Sequence, residues 1–210
     1  MEKIVYLFTG DGFADFEPAI AIDIISKTNA TTPKLCSYEI RTFGKDKTPV
    51  KSLGGLTILP DSDMSGVEIS KAAMVIFPGT MEIMNTDIPG LANLVFECRK
   101  KNVPIAGICG ATVFLAKLGL LDTVRHTSNG PEWLKKMAPE YRGENYYLHE
   151  PAVSDQGIIT ANPCGNVEFA GQIFRTLGLL PPEVLDFFLM AQKKGYMNFD
   201  LIPEPPEDSK

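Results

Sequence analysis

The chain has 210 residues, of which 44% are hydrophobic and 22% charged, with a formal net charge of −6. That length suits one domain with a large core, and the acidic balance argues against broad nucleic-acid binding and against an anionic membrane surface. No run approaches a membrane span, and Met1-Glu-Lys-Ile-Val-Tyr-Leu-Phe8 enters a strand at once, so neither a signal peptide nor an anchor is expected.

In chain order, Lys3 to Phe8 is a buried-strand pattern ending in the turn Thr9-Gly-Asp-Gly12. Asp15 to Lys27 follows as a helix with Asp15 near its N-cap and Phe16, Ala19, Ile20 and Ile24 on one face. Leu35 to Phe43 predicts a second strand. Pro49 to Ser52 and Leu56 to Leu59, joined by Leu53-Gly-Gly55, predict a hairpin added to the main sheet. Ala72 to Phe77 is an apolar strand stopped by Pro78-Gly79, and Pro89 to Lys101 is helical. Val103 to Ile108 is a strand that breaks at Cys109 into a helix carrying Val113, Leu115, Ala116 and Leu118. A helix over Pro131 to Met137, strands over Gly143 to Glu150 and Gly157 to Ala161, and helices over Val167 to Leu177 and Pro182 to Lys194 complete the pattern. Residues 1–196 are expected to form one domain and residues 197–210 a polar C-terminal tail.

Alternating strands and helices imply right-handed crossovers and a mostly parallel sheet covered on both faces. Ligands in such folds collect outside the carboxyl ends of the strands. The turns at Gly10 to Glu17, Pro78 to Thr80 and Cys109 should therefore converge. Asp11 and Gly12 are candidates to line the resulting pocket.

Cys109 is the main candidate. A strand breaking sharply into a helix at a single nucleophilic residue is a nucleophile elbow, with Gly107, Gly110 and Ala111 leaving room for a strained backbone. The positive end of the helix favours a thiolate there; the competing reading is a core thiol. The other cysteines (Cys36, Cys98 and Cys164) show neither a CxxC pair nor metal-ligand spacing, which predicts reduced thiols, a cytoplasmic setting and no metal. Gly10-Asp-Gly12 lacks the third glycine of a dinucleotide fingerprint and there is no Walker loop, so no cofactor is expected. Trp133, Phe187, Phe188, Tyr196 and Phe199 are read as core or dimer contacts.

Four places resemble the ThiJ/PfpI family of the class I glutamine amidotransferase-like superfamily. They are Asp15-Phe-Glu17-Pro-Ala-Ile-Ala-Ile-Asp23, Ile76-Phe-Pro-Gly-Thr80, Ala106-Gly-Ile-Cys109-Gly-Ala-Thr112, and Gly157-Ile-Ile-Thr-Ala-Asn-Pro163 leading to Glu168-Phe-Ala170. Gly119-Leu-Leu-Asp-Thr-Val-Arg-His-Thr-Ser-Asn129 looks similar to a branch of small bacterial proteins described as proteases or amidotransferase-like. The resemblance implies a flavodoxin-like three-layer α/β/α sandwich and a homodimer. It also implies that Glu17 is a protonated acid hydrogen-bonded to the elbow cysteine, where burial beside a thiolate would raise its pKa. The alternative for Glu17 is an early-helix acid facing water.

The N–H groups of Gly79, Thr80 and Gly110 are candidate oxyanion donors, although Thr80 stands where the family commonly has a second glycine. The histidine of the protease-like relatives would directly follow Cys109, where this chain has Gly110. In other relatives it falls near Asn129, which makes His126 the candidate base, with His149 behind it. A hydrolase or amidase, or a glyoxalase or deglycase acting on small carbonyl substrates through Cys109, is the expected activity. The alternative is a redox-sensing or stress-protective protein in which Cys109 is oxidised without turnover.

Overall fold

A computed structural model describes residues 3–31, 38–85 and 88–195. Cys36, Tyr196, Phe199 and the 197–210 tail lie outside the described residues. The elements in chain order are β1 (Lys3–Phe8), α1 (Phe16–Thr31), β2 (Tyr38–Gly44), β3 (Val50–Lys51), β4 (Thr57–Ile58), β5 (Ser62–Asp63), β6 (Ala72–Phe77), α2 (Met81–Asn85) and α3 (Leu91–Lys100). They continue with β7 (Ile105–Ile108), α4 (Gly110–Lys117), α5 (Pro131–Met137), β8 (Ala152–Asp155), β9 (Ile158–Ala161), α6 (Asn166–Leu177) and α7 (Pro182–Lys194).

Seven strands form one sheet in the order β5-β2-β1-β6-β7-β9-β8. All neighbours are parallel except β8 and β9. The two-residue period of β1 divides it between two cores. Ile4, Tyr6 and Phe8 face the layer holding α2 to α5, whereas Val5 and Leu7 face α1, α6 and α7. On the first face Phe8 packs against Phe43 and Phe77, with ring centroids 5.4 and 5.9 Å apart. From β1 the chain moves outward to β2 and β5, and from β6 it moves the other way. The crevice between β1 and β6 is therefore the topological switch point, where this class of fold binds its ligands.

Four local differences from the sequence expectations have identifiable causes. The 50–58 hairpin forms its own two-stranded sheet instead of extending the main one, because its backbone is engaged by the first loop. Gly12 N–H donates to Lys51 O at 2.7 Å and Leu53 N–H to Phe13 O at 2.9 Å. Asp15 does not cap α1; its carboxylate accepts the Gly54 N–H at 3.1 Å and the Ser52 hydroxyl. The helix expected from Pro89 starts at Leu91, since Gly90 has φ 86°. Residues 143–150 form no strand: Glu144–Tyr146 is a single 3-10 turn and Tyr147 makes one bridge to His126. The strand at that edge lies after Pro151, as β8.

Among the described residues, no helix is long and apolar enough to cross a membrane.

Candidate functional site

The thiol is presented by a strained turn. Cys109 has φ 56° and ψ −122°, a left-handed backbone that costs a non-glycine residue about 1–3 kcal/mol. Both sides of the peptide unit hold it there. Its N–H extends the sheet ladder to Ala161 O at 2.9 Å. Its carbonyl accepts the Thr112 N–H at 3.0 Å and the Thr112 hydroxyl at 2.6 Å. Ser128 Oγ in turn donates to Thr112 Oγ1 at 2.6 Å. Gly107 lets α4 pack closely beneath the turn: a Cβ there would come within 2.9 Å of Leu115 Cδ1 and push that side chain aside.

Glu17, near the start of α1, is 2% exposed, and its carboxyl interacts with the Cys109 thiol. Its Oε2 also accepts the Gly79 N–H at 2.6 Å. Burial pushes its carboxyl from the ordinary 4.5 up to about 7, against the opposing pull of the Gly79 and Cys109 hydrogen bonds. The direction agrees with the sequence expectation. Cys109 moves the other way from that expectation: burial first, then the Glu17 charge, pushes its thiol from the ordinary 9.0 up to about 11. The Asn129 amide and the Gly110 N–H oppose that rise without cancelling it. The resting pair is therefore neutral below about 7, and losing one proton leaves a monoanion that shares the other.

The oxyanion donors are fewer than the sequence suggested. Gly79 N–H is committed to Glu17. Thr80 and Gly110 remain adjacent, with a Cβ on Gly110 falling 3.5 Å from Thr80 N. Among the described residues neither N–H has a backbone carbonyl partner. The Thr80 side chain does not project at the thiol through its hydroxyl. Its Oγ1 donates to Asp11 O at 2.6 Å and accepts the Glu82 N–H at 3.1 Å.

His126 is not brought to the thiol. It is fully buried, with Nδ1–H donating to Val124 O at 2.7 Å and Nε2 accepting from the Tyr141 hydroxyl at 2.6 Å. The carbonyl can only accept, which fixes that tautomer, and burial lowers the imidazole pKa, so the ring is neutral and occupied. His149 is exposed and stacks edge-on against Tyr147 at 5.2 Å. The side chain at the sulfur is Asn129, whose Nδ2 donates to Sγ at 3.4 Å; its Oδ1 is buried without a partner among the described residues.

A cavity of about 350 Å³ opens above the thiol. Gly12, Glu17, Gly79, Thr80, Cys109 and Gly110 line it, whereas Asp11 turns its carboxylate to the Lys51 N–H at 3.0 Å. Trp133, expected in a core or dimer contact, packs partly on the core and also lines this cavity. A usable signal was its position, one turn after Gly130-Pro131, directly downstream of the segment that carries Asn129. Of the remaining cysteines, Cys98 is in the core and Cys164 on the surface. Among the described residues no cluster of metal-ligating side chains occurs.

A thiol on a strand-to-helix elbow, paired with a buried carboxyl in a flavodoxin-like sandwich, defines an elbow-cysteine α/β protein. Residues 3–176 match the family model described as the DJ-1/PfpI family. Two proteins of Bacillus subtilis (strain 168) are similar in sequence. "Uncharacterized protease YoaZ" is 30% identical over 181 residues, 86% of each chain. "Uncharacterized protease YdeA" is 28% identical over 199 residues, 95% of each. Among solved structures, a ThiJ/PfpI family protein from Bacillus anthracis superimposes with a TM-score of 0.84 at 29% identity, covering 93% of this chain and 92% of that one. A DJ-1 superfamily protein from Agrobacterium tumefaciens gives 0.77 at 32%, covering 91% and 99%. The chain belongs to the DJ-1/PfpI family.

Proposed function

We propose that this protein is a cysteine-dependent enzyme acting on carbonyl compounds, with Cys109 as nucleophile and Glu17 as the group that takes and returns its proton. The observation that carries the reading is the buried Glu17 carboxyl beside Cys109, both within about 3 Å of where a Cβ on Gly79 would lie, with a carboxyl pKa raised to about 7 and no imidazole at the sulfur. In the monoanionic pair, the tautomer with its proton on Glu17 carries the thiolate. Sγ adds to an aldehyde carbon and the C=O π pair moves to oxygen, which faces the Thr80 and Gly110 N–H groups. The Glu17 proton passes to that oxygen and gives a thiohemiacetal beside a Glu17 carboxylate. With an α-oxoaldehyde, the carboxylate then removes the C–H proton of the former aldehyde carbon and returns it to the neighbouring carbon, while the thiohemiacetal hydroxyl proton moves to the neighbouring carbonyl oxygen. The product is a thioester, which water hydrolyses to a hydroxy acid.

This glyoxalase-type chemistry is better supported than peptide cleavage, the activity in the names of the Bacillus relatives. Expelling an amine requires a second proton donor at the sulfur, and the side chain there, Asn129, does not titrate. The test is loss of methylglyoxal and appearance of lactate in wild type, Cys109→Ser and Glu17→Gln. Turnover confined to wild type is expected; equal rates in wild type and Cys109→Ser would overturn the reading.

A redox sensor is the second reading. It is favoured by the same Glu17 proton, which would hydrogen-bond a Cys109 sulfinate, but the burial that raises the thiol pKa works against peroxide attack.

A further inference from the structure

The walls of the thiol cavity differ in kind from its floor. Thiol, carboxyl and two backbone N–H groups lie below, while Phe16, Leu53, Met81, Met84 and Trp133 stand around them. Among the described residues lining the cavity, Glu17 is the one charged side chain, and it is committed to Cys109 and Gly79. The Thr80 hydroxyl is likewise spent on Asp11 and Glu82. A charged substituent on a bound carbonyl compound would find no free charged side chain among the lining residues.

The rim shows the complementary feature. Phe16, Leu53 and Met81 are 51%, 71% and 63% exposed, yet each is carried by anchored backbone. Phe16 and Met81 open helices α1 and α2. Leu53 is pinned by its N–H to Phe13 O, and its neighbour Gly54 by Asp15. Large apolar side chains held in water around one opening gain by covering whatever apolar surface enters it.

We infer that the site selects uncharged carbonyl compounds bearing an apolar arm, the arm lying between Trp133 and Met84 inside and the Phe16–Leu53–Met81 rim outside. This deepens the thiol reading above by naming its substrate class, and it is separable from that reading because binding of the arm needs no chemistry.

Trp133 is the only tryptophan in the chain, so its fluorescence reports occupancy of this cavity. Unreactive N-alkyl acetamides, from N-propyl to N-heptyl, are titrated against wild type, Cys109→Ser, Phe16→Ser and Leu53→Ser. A saturable change is expected, with Kd falling about threefold to fourfold per added methylene. The same series should hold in Cys109→Ser and flatten in the two rim variants, whose side chains are exposed and whose fold should persist. A Kd independent of chain length, or no saturable change, overturns the inference. So does a signal that follows protein concentration, which would mean that a second copy covers the rim. Turnover of small aldehydes beside a flat series leaves the thiol reading standing and removes this one; a steep series without turnover does the reverse.

Discussion

Glu17 Oε2 accepts the Gly79 N–H at 2.6 Å across 62 residues of chain, so the acid that meets the thiol is held by the turn after the neighbouring strand. Glu17 follows β1 and Gly79 follows β6, the two strands that flank the switch point. The position and the proton affinity of the carboxyl therefore have one origin: the crevice that aims it also removes it from water.

Folding stability should record that burial. The folded pKa of Glu17 is about 7 against the ordinary 4.5, so between those values the folded chain keeps a proton that the unfolded chain releases. The contribution is complete below the unfolded value and is lost as pH rises through the folded one. At about 1.4 kcal/mol per unit, the loss is on the order of 3 kcal/mol. Urea midpoints from acid to mildly alkaline pH should fall for wild type and not for Glu17→Gln. Parallel profiles would refute the assignment.

Alkylation of Cys109 should rise in two steps with pH. The first, near 7, marks formation of the monoanionic pair, and the second, near 11, marks loss of the shared proton. Glu17→Gln should leave a single step. Its midpoint should lie below that of the upper wild-type step, because the Glu17 charge raises the thiol pKa. Asn129→Ala removes a donor to sulfur and should move the upper step further up. Peptide-resolved mass spectrometry with iodoacetamide reads all three.

Gly79→Ala places a methyl 3.0 Å from Cys109 Cβ and Gly110 N and 3.1 Å from Glu17 Oε2. Every one of those atoms belongs to the site, so reactivity should suffer more than folding. The expected outcome is at least about a tenfold loss in Cys109 alkylation at neutral pH, which corresponds to about 1.4 kcal/mol. Wild-type alkylation kinetics in this variant would show that the Gly79 approach is not critical.

Tyr141→Phe removes the only donor to His126 Nε2 among the described residues, leaving a buried acceptor at a cost of about 1–3 kcal/mol. Stability should drop by that order while the Cys109 alkylation profile stays unchanged. A changed profile would mean that the imidazole couples to the thiol after all.

The elbow was readable in the sequence because strand, glycines and helix are contiguous there, whereas Glu17 was singled out by the family resemblance of the Asp15–Asp23 segment, its own position leaving a water-facing helix acid equally open. What could not be read depends on contacts between distant segments. Whether His126 reached the sulfur turned on Tyr141 and the Val124 carbonyl capturing both ring nitrogens. The thiol pKa turned on burial, which no local pattern near Cys109 reports. Asp15 looked like a helix cap, yet the hairpin competed for its carboxylate and won. The hairpin's own pairing was visible; its attachment was not, since its partners are the backbone atoms of the first loop.

That attachment separates the opening of the cavity from its chemistry. Leu53 rides on a two-stranded ribbon that shares no ladder with the main sheet, whereas Glu17, Gly79 and Cys109 are fixed by turns following β1, β6 and β7. Substitution of the exposed Leu53 side chain can therefore reshape what enters without shifting the acid or the sulfur. A lineage, or an engineer, can vary the entrance while the reactive pair is inherited intact.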